Sequence, residues 1–153
     1  MTEPLLSLVI DGTSSRVFAP GETLAVDFQV DAVDPDELCA LEASVLWYTE
    51  GKGDEDLGIH YFKRYTAQRE GATLHELRFL RTILPASPLS YEGRIVKVRW
   101  CVRVRAFLSR NRQVTENQVF QLGRVPRPVW TVTRPEVEVV PAALEAAGFN
   151  VAP

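Results

Sequence analysis

A chain of 153 residues that is 46% hydrophobic and 24% charged has the make-up of one globular domain, and no apolar run approaches the roughly 20 residues of a membrane-spanning helix. Its formal net charge of −3 speaks against a general nucleic-acid binder, which needs a strongly basic surface. Two cysteines are too few for a disulfide scaffold or a zinc cluster, and His60 and His75 stand at ligand spacing from no other His or Cys, so neither a metal centre nor a cofactor is expected.

Met1 to Ile10 carries a short apolar stretch and an acid at Glu3, but no basic start and no small-residue cleavage site. It does not read as a signal peptide, and a cytoplasmic location is expected. Strands are predicted at Leu5 to Ile10 and at Thr23 to Val30, where Leu24, Val26, Phe28 and Val30 alternate with Asp27 and Gln29. Pro20-Gly21-Glu22 is the turn that starts the second of these. Further strands are predicted at Leu38 to Thr49, Ile59 to Tyr65 and Leu74 to Leu84. The clearest alternation runs from Arg94 to Ala106. Val96, Val98, Trp100, Val102 and Val104 share one face, while Lys97, Arg99, Arg103 and Arg105 share the other. One more strand is predicted at Gln118 to Leu122.

Polar, Gly- and Pro-containing turns separate these segments, and no long 3.6-period stretch occurs before residue 140. The pattern is an all-β, antiparallel immunoglobulin-like sandwich of about seven to eight strands over residues 1–123. From 124 to 153 the composition changes to an extended, Pro-containing arm. Val125-Pro126-Arg127-Pro128-Val129-Trp130 cannot be a central strand, because proline lacks the ladder donor. Val137 and Val139 fit a short edge strand, and Pro141 to Ala147 before Gly148 has a short helix outline.

Cys39, Trp47 and Cys101 invite an immunoglobulin arrangement, with a disulfide between sheets against a buried tryptophan. Side-chain parity argues otherwise. Cys39 shares the parity of Leu41, Ala43, Val45 and Trp47, expected to face the core, whereas Cys101 shares that of Arg99, Arg103 and Arg105. Unless a bulge reverses one strand, the sulfurs cannot meet, so both thiols are expected free, with Trp47 and Trp100 in the core.

Two stretches carry a family resemblance. Phe18-Ala19-Pro20-Gly21-Glu22 leads into an alternating strand, and Leu84-Pro85-Ala86-Ser87-Pro88-Leu89-Ser90-Tyr91-Glu92-Gly93 leads into the long valine-rich strand. In order and spacing they resemble the opening and central loop of arrestin-type domains, a superfamily of arrestins, related trafficking adaptors and bacterial sporulation-control proteins. The resemblance covers Leu5 to Gly123 and implies a scaffold or adaptor role. The chain departs from it in having one such domain plus an arm and no Pro-Pro-x-Tyr motif, and no phosphate-sensing residue is carried over.

Candidate site residues fall in two places. The basic stripe of Arg94, Lys97, Arg99, Arg103 and Arg105 suits an acidic peptide, a phosphorylated partner or an anionic head group in peripheral membrane contact. The plainer reading is a solvated face paired to acids such as Asp27 or Glu42. Pro126, Pro128 and Trp130 on the arm either pack on their own sandwich, pair with another copy to give a homo-oligomer, or add to a partner.

The acidic runs Asp31 to Glu37 and Asp54 to Asp56 would supply calcium oxygens if they converged, and otherwise are solvated turns. Gly51-Lys52-Gly53 lacks the length of a phosphate loop. His75 shares the parity of Leu77 and Phe79, as a sheet-end histidine would. Ser87, Ser90 and Ser109 have no nucleophile context, so no catalytic residue is assigned. The expected function is a non-enzymatic module for a protein or peptide partner, bound at a sheet edge or on the basic face. The alternative is a calcium- or carbohydrate-binding domain using loops at one end.

Overall fold

The computed structural model describes residues 4–10, 16–31 and 33–123. In chain order the elements are β1 (Leu5–Ile10), β2 (Val17–Phe18), β3 (Thr23–Asp31), β4 (Leu38–Gly51), β5 (Leu57–Thr66), α1 (Ala67–Glu70), β6 (Arg78–Ile83), β7 (Tyr91–Glu92), β8 (Val96–Leu108) and β9 (Arg112–Leu122). Two sheets result. The smaller has the order β1-β3-β6; the larger runs β2-β9-β8-β4-β5, with β7 alongside the start of β8. All pairings are antiparallel except the short parallel one between β2 and β9.

Alternation builds the core directly. Leu6, Leu8 and Ile10 from β1 and Leu24, Val26, Phe28 and Val30 from β3 pack against Leu41, Ala43 and Val45 of β4 and Trp100, Val102, Val104 and Ala106 of β8. Each of these Leu, Ile, Val and Phe side chains contributes about 1.5–3 kcal/mol relative to exposure. Trp100 brings a polar handle into this core. Its indole N–H donates to the Pro88 carbonyl at 2.7 Å, tying the 84–90 connection to β8.

Three local outcomes differ from the sequence reading. The strand expected over 74–84 is only β6, because the chain first turns through α1 and a 3-10 segment, Gly71–His75. Thr66 caps α1 by accepting from the Arg69 N–H, and Gly71 leaves it with φ 61, where glycine is at ease. His75 therefore sits on a helical turn, not at a sheet end, and Leu74 beside it is buried. The last strand, expected over 118–122, begins at Arg112. Arg110 and Asn111 at φ 64 and 58 reverse the chain tightly, so β9 pairs with β8 along its whole length.

The third concerns Cys39, which is exposed and does not face the core. Between Leu38 and Ala40 the ladder to β8 slips by one residue, and Cys39 is the extra one in this bulge. Cys101 keeps the expected outward parity yet is buried. Both thiols are free, so the disulfide is absent because of a bulge on β4 as well as the facing of β8. A second bulge lies in β5, where Val45 and Leu46 oppose Tyr61 and Ile59 and His60 is left over. The arm expected over 124–153, with Pro126, Pro128 and Trp130, its short strand and its helix outline, lies outside the described residues.

Candidate functional site

The outer face of the larger sheet collects most of the basic stripe. On β8 the residues opposite in parity to the core-facing set are Lys97, Arg99, Cys101, Arg103, Arg105 and Phe107, and the register places partners beside each. Cys101 lies between Leu46 of β4 and Val119 of β9, and Leu46 in turn lies beside Ile59 of β5. An apolar row, Ile59–Leu46–Cys101–Val119, thus crosses four strands on the side that alternation reserves for water. Its centre is dry, with Leu46 2% and Cys101 1% exposed, while its ends, Ile59 at 59% and Val119 at 44%, are open. Phe62, 52% exposed, adjoins the row on β5.

Charge is unevenly distributed around this row. On one side, Lys97 pairs with Glu92 at 3.8 Å, and Arg99 holds both Glu92 at 3.1 Å and Glu50. The hydrogen bond to Glu50 raises the Arg99 pKa above its usual value, ahead of the opposing effect of burial. On the other side, Arg103 donates to the Asn117 amide oxygen at 2.8 Å, and the buried Nε of Arg105 has no hydrogen-bond partner among the described residues. Neither makes an ion pair among the described residues. Glu42, which faces Arg105 in register, bonds to Arg64, whose guanidinium also lies 5.2 Å from the Phe107 ring centre. Asp27 lies on the other sheet, so Glu50 and Glu92 are the acids that neutralise the stripe. Arg94 precedes β8 and is not part of its ladder.

Burial pushes the Cys101 thiol up, with Arg103 opposing, so it stays protonated near neutrality. Tyr48, next along β4, is raised by burial first and then by Cys101. A depression of about 380 Å³ opens beside it, lined by Tyr48, Leu57, Arg103, Glu50 and Asp56 among others. A second, of about 270 Å³, lies between Arg16, Tyr91, Arg99, Val119 and Gln121. The face is therefore ridged, half apolar and cationic at Arg103 and Arg105. Such a surface can hold an extended or helical segment bearing acids and apolar side chains.

The two acidic runs do not converge. One precedes β4 and the other follows it, and 14 extended residues separate them by roughly 40 Å. In the first, the Asp34 carboxylate accepts from the Asp36 N–H at 3.1 Å, and Glu37 pairs with Arg112 at 2.9 Å. Among the described residues no group of three or more His, Cys, Asp or Glu is placed to hold a metal ion. No helix there is long and apolar enough to cross a membrane.

The stacked three- and six-stranded sheets are those of an arrestin-type β-sandwich. A solved structure of this kind, Spo0M, a sporulation control protein from Bacillus subtilis, superposes with a TM-score of 0.53 over 80% of the chain at 8% identity. The chain spans about half the length of that protein, covering 50% of it, and what the two share is the fold. No family model and no curated protein matches the chain.

Proposed function

We propose that this chain is a non-enzymatic protein-interaction module of adaptor or scaffold type, holding an acidic and apolar segment of a protein or peptide partner on the outer face of its larger sheet. The observation that carries the reading is the row Ile59–Leu46–Cys101–Val119 beside Arg103 and Arg105, two cations that make no ion pair among the described residues. A merely solvated face would be expected to alternate polar groups there and to neutralise its arginines, as the Lys97–Arg99 end does. In this proposal Lys97 and Arg99 hold the face together, Arg94 is peripheral, and Pro126, Pro128 and Trp130 of the arm add a second contact. The free thiols Cys39 and Cys101 fit a reducing, cytoplasmic setting.

The test is affinity capture from the native cell, then binding of the identified partner to purified wild type and to Arg103→Glu/Arg105→Glu. Loss of binding by about tenfold or more, with an unchanged melting temperature, supports the face. Equal binding by the two proteins overturns it. Trp130→Ala, measured with the same partner, tests the arm.

A further inference from the structure

β5 closes one edge of the larger sheet, and on its far side no strand pairs with it among the described residues. It is ten residues long and carries Leu57, Ile59 and Phe62, all more than half exposed. Long apolar edges recruit further strands, and natural proteins commonly guard them with bulges. β5 has such a bulge at His60. The His60 ring turns inward, its Nε2 lying 3.1 Å from Thr82 Oγ1 and 2.9 Å from the Ile83 carbonyl, and Tyr61 packs inward as well. Leu57 and Ile59 before the bulge and Phe62 and Arg64 after it therefore all lie on the outer face. An incoming strand of regular alternation can match one of these halves only.

We propose that the strand that fits this edge is β5 of a second copy, laid antiparallel about a two-fold axis between His60 and Tyr61. That register brings the same break in parity opposite itself. Ile59 of each copy meets Phe62 of the other, Leu57 meets the stem of Arg64, and Gly58 meets Lys63. Charge favours the same arrangement. Asp54, Glu55 and Asp56 lead into β5, and Lys63 and Arg64 lie near its end. Antiparallel pairing lays each acidic turn beside the other copy's basic end, whereas parallel pairing would set like beside like. The contact is isologous and closes as a dimer with one continuous sheet. It uses the backbone edge of β5 and shares Ile59 with the end of the outer-face row, while Arg103 and Arg105 stay outside it.

Sedimentation equilibrium of the full chain tests this. The wild type is expected to reach twice the chain mass as concentration rises, and to dissociate as salt is added. Ile59→Lys should raise the dissociation constant about tenfold or more, while Leu5→Lys, exposed on the smaller sheet, should not change it. Two charge-reversed proteins sharpen the test: Lys63→Glu/Arg64→Glu, and Asp54→Lys/Glu55→Lys/Asp56→Lys. Each alone should be folded and monomeric, and their mixture should form a heterodimer. Because Arg64 also bonds to Glu42, Lys63→Glu alone serves if the double variant fails to fold. A wild type that stays at chain mass, a dimer lost on Leu5→Lys but kept in Ile59→Lys, or folded variants that do not recombine would each overturn the proposal.

Discussion

Cys39 and Cys101 differ in exposure because a single inserted residue turns the first outward, while the second is buried in the middle of the larger sheet. In the native protein a thiol reagent is expected to modify Cys39 fully and Cys101 only on unfolding, because burial keeps the second thiol protonated and covered. Equal rates at both sites would show that the outer-face row opens readily. Trp100→Phe removes the donor to the Pro88 carbonyl and is expected to cost about 1–3 kcal/mol, read as a fall in melting temperature of roughly 2–4 °C per kcal/mol. Gly58→Ala should also destabilise, by about 1–3 kcal/mol, since an added Cβ would meet the Trp47 indole at 2.2 Å. Parity in the sequence located the facing of Cys101 and Trp100 correctly, because β8 is unbroken through both. It failed at Cys39, because a bulge leaves no mark in the periodicity of Leu38 to Ala43.

At the scale of elements, strands were legible where apolar and polar residues alternate and illegible where pairing comes from a neighbour. The first half of β9, Arg112 to Asn117, is mostly polar and becomes a strand by hydrogen-bonding to β8 through a tight turn. α1 is four residues long, too short to show a helical period, and depends on its cap. Thr66→Ala is accordingly expected to lower stability by about 0.5–2 kcal/mol, measured by urea unfolding with an unchanged m-value. Leu46 is a similar case for the candidate site. The run Val45-Leu46-Trp47-Tyr48 is apolar on both parities, so the sequence marks β4 as a strand but conceals that its outer side is dry.

For the whole molecule, the stripe of basic residues was readable as one face, but its division into a neutralised end and a cationic end was not. Glu92 comes to Arg99 through β7, a two-residue strand, and Glu50 through the antiparallel register of β4. Neither contact follows from local sequence. If Arg103 and Arg105 meet an acidic segment, the association rate should fall as ionic strength rises, while Arg103→Glu/Arg105→Glu should be slow at every salt concentration. Stopped-flow mixing with the captured partner would measure both.

The β4–β8 ladder that carries this face also joins distant parts of the chain, with Trp47 opposite Trp100 and Leu41 opposite Ala106. More than fifty residues must therefore be looped out before the sheet's central pair can form, whereas the β8–β9 hairpin closes through a three-residue turn. Refolding should accordingly run in the millisecond-to-second range set by non-local pairing, with the hairpin protected from exchange first and the β4–β8 seam last. During that interval the acid-poor side of β8 stands open, so the surface assigned to recognition is among the latest to be assembled.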